Sequence, residues 1–526
     1  MSSLILALPI ELQTEIFRAL HASEKGLGLG QDEIRKVSYV CSLWRQLTLS
    51  TSAFWTFIYV TKDSVDLNSQ FPHPCMKYND AEPVFPWVAE VLRRSGHQPL
   101  DIFIKLHYDS FNPAVPETVN MLTFPWHLGH PFVLSRLLAG HTARFRSVDI
   151  ISELWYPLQA LPSFLVGHPM PLLEAWNVTR DNPQFGHHTV SDLPLEAEMP
   201  ILEAPVSTLL CDELAESIFP KLRVLTIHGV PQRWGLLIPR NLLALDLSHL
   251  PRTCRPTYAA FKALLLGSQS TLQQLTLWAS APEPLAGYDH GTITLPNLHF
   301  ISLGMTLADA TSSLVTFLDV PSLQRLEIHD LDHGRPGYQS RLEFSSLASL
   351  VLNILGQWPL RNLTHLTLGG LSFPTPVGAF KDTDDALTEQ REPHCPPIPF
   401  TFLFACPSLR YLHLVNPDAC TLRALVSPLF LKDAGQAALL PCWALECLHI
   451  ETSMLRDLLA FFRLDSQWCE SASKPDPIVA PRFFPTILLD VPPEWGNDIL
   501  TYASRKTAGN IKSGVLYSTG SHPSRH

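Results

Sequence analysis

The stretch FPKLRVLTIHGV at Phe219–Val230 follows the pattern Leu-x-x-Leu-x-Leu, in which isoleucine or valine can replace a leucine. Its last apolar residues alternate with polar ones, which predicts a β-strand with one buried face. The pattern recurs at Pro239–Leu250, Gln269–Ser280, Leu295–Thr306, Val320–Leu331, Phe344–Leu355, Leu360–Leu371, Cys406–Pro417 and Cys442–Ser453. Weaker copies stand at His141–Ile150 and Met170–Val178. One such strand cannot bury its apolar edge alone, so the copies are expected to stack side by side.

This recurring pattern resembles the leucine-rich-repeat family, and the copies return at intervals of roughly 20–30 residues. The resemblance implies an irregular solenoid whose strands form a parallel-sheet arc. Segments such as Tyr258–Leu266 are expected to be helices on the convex side. The Asn or Cys that usually follows the strand is mostly missing, so the repeat is a divergent one.

The residues that flank the last two leucines of each copy are predicted to face the open, concave side of the sheet. Asn353 is among them. Aromatic residues and arginine often anchor protein interfaces. The candidate substrate-binding residues are Trp278, Phe300, Arg325, Glu327, His329, Tyr411, His413 and His449. The alternative is that these are ordinary polar sheet positions and that loops or termini bind partners.

The segment Leu6–Val60 has a different character, because its apolar residues recur at helical spacing. Leu8, Leu12, Ile16, Phe17 and Leu20 form one apolar stripe. Gly26, Gly28 and Gly30 interrupt the pattern. A second helical run starts near Gln31 and continues through Trp44 and Leu47. Three short helices with surplus apolar surface indicate a module that binds a partner.

At these residues the chain resembles the F-box family, in particular fungal F-box-like sequences. Leu8-Pro9, Glu11-Leu12, Ile16-Phe17 and Leu20 match its first helix, Val40-Cys41-x-x-Trp44-Arg45 its second half, and Phe54-Trp55 the aromatic pair that follows. The resemblance implies a substrate-recognition adaptor of an SCF-type (cullin–RING) ubiquitin ligase, acting in protein degradation. The residues implied to form or support the interface with the Skp adaptor are Leu8, Pro9, Leu12, Ile16, Phe17, Val40, Cys41 and Trp44. The repeat arc would hold an unknown target protein, and other ligase subunits would supply the chemistry.

A second interpretation stays open: a non-ligase interaction scaffold whose N-terminal helices merely cap the solenoid. The domain prediction is the same for both. It has an F-box-like domain at 1–60, a transition region at 61–140, a solenoid at 141–503 with a loop insertion at 373–399, and a flexible tail at 504–526. The predicted fold class is therefore α/β.

Composition narrows the function further. Hydrophobic residues make up 46% of the chain and charged residues 17%, which indicates a globular protein with a large core. The net charge of −11 argues against binding nucleic acid. The ten cysteines are scattered, and the sequence has neither a secretory signal pattern nor a long apolar run. A cytoplasmic or nuclear protein without membrane contact is expected.

No catalytic motif is present, so we expect no enzyme activity, no cofactor and no metal. The patterns GxxxxGK[ST], HExxH and GxSxG do not occur. His413 and His449 share one motif column and are predicted to stand about 5 Å apart on adjacent strands. A metal-binding or pH-responsive cluster, or even an enzyme built on it, is conceivable there, but solvated surface histidines are the favoured interpretation.

Overall fold

The computed structural model describes residues 8–24, 30–65, 84–106, 126, 129–153, 155–165, 167–181, 219–230, 234, 239–250, 255–282, 291–305, 308–331, 344–371, 398–417, 421–422, 425, 442, 444–452, 486–490 and 514–517. The chain divides into two compact units, Met1–Ser268 and Gln269–His526. Both contain parallel strands and helices, so the predicted α/β class is confirmed. No helix within the described residues is long and apolar enough to cross a membrane.

Three helices open the first unit: α1 (Ile10–Glu24), α2 (Gly30–Ser38) and α3 (Ser42–Ser50). The predicted single run from Gln31 to Leu47 is thus wrong in one respect, since it is broken between α2 and α3. Cys41 is the N-cap of α3, and its Sγ accepts a hydrogen bond from the Trp44 amide at 3.5 Å. Pro9 precedes α1, and its carbonyl accepts from the Gln13 amide at 3.1 Å.

Six parallel strands follow among the residues that the structure describes in the first unit, and they pair in chain order. They are β1 (Phe57–Thr61), β2 (Leu100–Leu106), β3 (Phe145–Ser152), β4 (Ala175–Arg180), β5 (Val224–His228) and β6 (Ala244–Ser248). The helices between and after them are α4 (Pro86–Arg94), α5 (His130–Ala139), α6 (Trp155–Leu165) and α7 (Tyr258–Gly267). Parallel pairing therefore begins at Phe57, inside the predicted F-box-like domain and well before residue 141, where the solenoid was predicted to begin.

In the described part of the second unit, eight parallel strands pair as β7-β9-β11-β12-β13-β14-β15-β16. They are β7 (Gln274–Trp278), β9 (Phe300–Met305), β11 (Arg325–Asp330), β12 (His365–Gly369), β13 (Tyr411–Val415), β14 (Cys447–Glu451), β15 (Thr486–Asp490) and β16 (Gly514–Tyr517). The short strands β8 (Ile293–Thr294) and β10 (Leu318–Asp319) pair separately. The helices are α8 (Ala308–Phe317), α9 (Phe344–Gln357) and α10 (Ile398–Phe404).

Two segments were predicted to be a flexible tail and a loop insertion, and the structure describes part of each. β16 lies within 504–526, so the segment predicted to be a flexible tail contributes a strand. The predicted insertion at 373–399 lies outside the described residues, apart from the start of α10 at its end.

The leucines of the repeats face the core, as the alternation predicted. Leu225, Leu275, Leu326, Leu366 and Leu412 are all fully buried. The residues between them lie on the opposite face of the sheet, which we call the ladder face because aligned side chains cross the strands in rows. Parallel register places Phe300 beside Arg325, and Arg325 beside His365.

One predicted strand is wrong, because Phe344–Leu355 is the start of helix α9 rather than a strand. Leu350, Val351 and Ile354 are buried, and Leu352 is 58% exposed. Buried residues at positions 350, 351 and 354 have the spacing of one helix face. The motif Leu-x-x-Leu fits both such a helix face and a repeat strand, so the sequence pattern did not distinguish them. Asn353 is consequently absent from the ladder face. Its Nδ2 donates to Ser312 Oγ on α8 at 2.7 Å.

A left-handed residue ends the strand in five repeats. Gly229, His249, Ala279, Gly370 and Asn416 each directly follow a strand, with φ between 48° and 65°. The Gly229 amide donates to Ser248, the Gly370 amide to Val415 and the Asn416 amide to Glu451, in each case to the carbonyl at the end of the next strand. The same backbone turn is thus made by glycine, histidine, alanine and asparagine, although non-glycine residues rarely adopt positive φ.

Candidate interaction surfaces

The N-terminal helices are held together by a small buried core around Gln13. Its side chain is 2% exposed, accepts from the Trp44 indole at 2.9 Å and donates to the Leu8 carbonyl at 2.8 Å. Phe17 is 3% exposed and meets Trp44 edge-on, with ring centroids 5.0 Å apart. This core joins α1 to α3 and fixes how the remaining side chains point outward.

Apolar side chains that face outward are concentrated on these helices. The large hydrophobic residues that are exposed within the described part of the chain are Ile10, Leu12, Ile16, Tyr39, Val40, Leu43, Leu49, Leu266 and Leu352. Seven of these nine lie between Ile10 and Leu49. Exposed apolar residues that gather in one short segment commonly mark a partner-binding surface.

The eight predicted adaptor-binding residues do not all share this exposure. Pro9, Leu12, Ile16 and Val40 are exposed, while Leu8, Cys41 and Trp44 are half-buried. Phe17 is buried, so it supports the helices and offers no surface of its own. The sequence pattern could not separate these roles, because helical spacing identifies an apolar stripe but not the part of it that a neighbouring helix covers.

A chain of cation–π and ring contacts attaches these helices to the first strands. The Arg35 guanidinium on α2 lies 5.1 Å from the ring centre of Trp87 on α4. The ring centroids of Trp87 and Trp55 lie 5.9 Å apart, and the Arg94 guanidinium lies 4.5 Å from the ring centre of Trp55. Trp55 is 1% exposed, and its indole donates to the Thr48 carbonyl at 2.9 Å. Arg35 and Trp87 were not among the predicted residues, because their contact depends on tertiary packing.

In the second unit, the eight predicted substrate-binding residues all lie on the ladder face. Trp278 Nε1 donates to Ser302 Oγ at 2.9 Å, and Ser302 donates in turn to Glu327 Oε2 at 2.9 Å. Arg325 donates to the other carboxylate oxygen through Nε at 3.1 Å and a terminal nitrogen at 2.5 Å. The guanidinium also lies 4.8 Å from the ring centre of Phe300. The prediction that these residues share one face is confirmed.

Two glycines make room for large rings in this face. A β-carbon on Gly304 would lie 2.8 Å from Trp278 Cγ, and one on Gly369 would lie 2.2 Å from His329 Nδ1. Trp278 and His329 therefore lie low over the sheet, with ring centroids 5.1 Å apart. Burial lowers the pKa of His329, although Glu327 acts in the opposite direction. The result is a flat pair of rings beside a paired arginine and glutamate.

The predicted histidine neighbours do meet. His413 and His449 are in register on β13 and β14, and their rings stack at 4.2 Å with an angle of 7°. Tyr411 Oη lies 3.2 Å from His449 Nδ1, and Glu451 Oε2 lies 3.7 Å from His413 Nε2. Among the described residues no group of three or more His, Cys, Asp or Glu side chains is arranged to hold a metal ion.

The first unit carries ladder-face residues that the sequence analysis did not name. The rings of Phe57, Tyr59 and Phe103 lie 5.5–6.4 Å from one another on β1 and β2. Asp149 and Asn177 continue the row on β3 and β4. β1 and β2 lack the Leu-x-x-Leu-x-Leu pattern, and β3 and β4 carry only its weaker copies, so the sequence analysis named no ladder-face residues on these four strands. The alternation of Leu100, Ile102, Ile104 and Leu106 was nevertheless a usable signal for the face that holds Phe103.

No protein-family model matches the chain. No curated protein matches it significantly. Its function must therefore be inferred from its own residues.

Proposed function

We propose that this protein is a substrate-recognition adaptor of an SCF-type ubiquitin ligase. It would bind the Skp adaptor through α1–α3 and a target protein through the ladder face of the second unit. The observation that carries the proposal is the concentration of exposed apolar side chains between Ile10 and Leu49. A surface of this kind needs a partner, and the F-box-like motifs of the same segment suggest which partner it is.

The geometry of the helices supports a docking role. Leu12 and Ile16 are four residues apart on α1 and are 51% and 42% exposed, so they are neighbours on one exposed apolar face of the helix. Val40 is 61% exposed in the turn before α3. The Gln13–Trp44 core fixes these groups from behind, which lowers the entropy that docking would cost.

The ladder face of the second unit supports the other half of the proposal. Trp278, Phe300, Arg325 and Tyr411 are of the types that dominate interface energies. The Ser302–Glu327–Arg325 hydrogen bonds hold Arg325 over Phe300 before any partner arrives. The proposal assigns no chemistry to this surface, and catalysis would belong to other ligase subunits.

A capping role for the helices is the second candidate. It is favoured by the Arg35–Trp87–Trp55 contacts, which attach α2 to the region beside β1, the first strand of its sheet. Helices that only cap would still leave Leu12 and Ile16 without a partner. The two functions therefore predict different results for a variant of these two residues.

The test is capture of the purified Skp adaptor by the full chain. We expect the Leu12→Ala/Ile16→Ala variant to bind about 30-fold more weakly, which corresponds to a loss of roughly 2 kcal/mol at an interface anchor. Leu266→Ala and Leu352→Ala are the matched controls, because these leucines are 47% and 58% exposed outside the N-terminal helices. Both controls should bind as the unmodified chain does. No capture of the unmodified chain, or equal loss in a control, would favour the scaffold function.

A further inference from the structure

A row of six residues crosses the ladder face of the first unit at one level. Strand register aligns Tyr59, Phe103, Asp149, Asn177, Thr226 and Asp246. We call this row the acidic row. The rings of Tyr59 and Phe103 lie at one end, and the side chains of Asp149, Asn177, Thr226 and Asp246 follow. Neighbouring members are separated by one strand spacing, about 5 Å.

Within the described residues, no basic side chain forms an ion pair with the Asp149 carboxylate. Its hydrogen-bond partner is the Asn177 side chain. Burial raises the pKa of Asp149 to about 6, and the bond from Asn177 offsets this only partly. A half-buried carboxylate in this position gains from any cation that reaches it.

Asn177 orients this carboxylate. The amide nitrogen of its side chain donates to Asp149, whereas its Oδ1 exposes less than 1 Å² and is not accessible to an incoming group. Asp149 is therefore the acceptor that a donor from a partner would meet.

The aromatic end of the row determines which donor fits best. The rings of Tyr59 and Phe103 lie 5.5 Å apart, and Phe57 stacks on Phe103 at 6.3 Å. Aromatic faces attract cations, and a planar guanidinium both stacks on rings and donates several parallel hydrogen bonds. An ammonium group could reach Asp149 but would not use the flat surface beside it.

We propose that the acidic row binds an arginine side chain from a basic segment of a partner protein. The guanidinium would donate to the Asp149 carboxylate, and its plane would pack against Phe103. Asp246 lies three strands further along the row, roughly 14 Å away, and can receive a second arginine of the same segment. Ser248 already donates to Asp246 at 2.5 Å, which fixes that carboxylate. This inference does not depend on the proposed ligase function.

Binding of a labelled peptide tests the assignment. The probe is fluorescein-labelled Arg-Gly-Ser-Gly-Arg, with Glu-Gly-Ser-Gly-Glu for comparison, measured by anisotropy with the full chain at pH 7.5 and low salt. We expect the arginine peptide to bind and the glutamate peptide not to bind. Asp149→Asn removes the charge and keeps the shape of the side chain, so it should weaken binding of the arginine peptide about 10-fold. Asp63→Asn, on an exposed aspartate of the same unit, removes the same charge and should change the Kd less than 2-fold.

The pH dependence provides an independent readout. Affinity of the unmodified chain should fall as the pH drops below about 6, because Asp149 then takes up a proton. Beside Asp149, β2 carries Asp101, which pairs with Arg146, and the exposed Lys105, and β4 ends at Arg180. Burial also raises the pKa of Asp246, which would receive the second arginine of the peptide, so this carboxylate contributes to the pH profile as well. Asp149→Asn leaves these groups in place and should make the fall in affinity shallower, and Asp149→Asn/Asp246→Asn should abolish it. Equal affinity for both peptides, equal loss in Asp63→Asn, or an unchanged pH profile in Asp149→Asn would overturn the inference.

Discussion

Gly369 has no room for a β-carbon, because the ring of His329 occupies that space. We predict that Gly369→Ala lowers the free energy of unfolding by about 1–3 kcal/mol, the usual cost of forcing a packed side chain aside. Gly356→Ala is the control, since nothing lies within 4 Å of its added carbon and the residue is in helix α9. That variant should be neutral or gain up to about 1 kcal/mol from helix propensity. Urea unfolding measures both, and equal effects would contradict the packing argument.

Residue identity alone did not reveal this arrangement. The sequence correctly placed Trp278 and His329 on one face, because strand alternation is local. It could not show that Gly304 and Gly369 admit their rings, since that depends on residues from neighbouring strands. The acidic row was missed for the same reason: Asp149 and Asn177 come together only through the register of β3 and β4.

At the scale of one element, the segment Phe344–Leu355 allows a helical and a strand interpretation to be tested against each other. As a helix it buries Ile354 and exposes Leu352, whereas a Leu-x-x-Leu-x-Leu strand would bury Leu352. We predict that Ile354→Ala costs about 2–5 kcal/mol and that Leu352→Ala stays within about 0.5 kcal/mol. Urea unfolding of the two single variants decides between them. A large loss for Leu352→Ala would restore the strand.

The secondary-structure elements also show where the sequence pattern stops being a sufficient predictor. Eight of the nine clear copies are strands, because alternating leucines need a sheet to bury them. The ninth fails because Leu-x-x-Leu fits one face of a helix equally well. The break between α2 and α3 was missed because Cys41 is an uncommon N-cap, and Ser, Thr, Asp and Asn are the usual signals.

For the whole molecule, stacked parallel strands imply that damage stays local. Each strand packs on its neighbours, so repeat proteins lose stability near the altered unit first. We predict that Leu412→Ala, at a fully buried position of β13, speeds amide hydrogen exchange in β12–β14 and leaves β2 and β3 unchanged. Leu225→Ala, also fully buried, is the reciprocal control and should affect β4–β6. Equal acceleration in all strands would indicate one cooperative unit.

The left-handed turn after the strands has a consequence for how such a chain can grow. The turn is a property of the backbone and is made here by four different residue types. A gene duplication that begins and ends at this turn would insert one complete strand with its connection, and every leucine would keep its orientation toward the core. The side chains on the ladder face could then diverge freely in the new copy. Repeat number and surface chemistry can thus change independently, while the turn preserves the register.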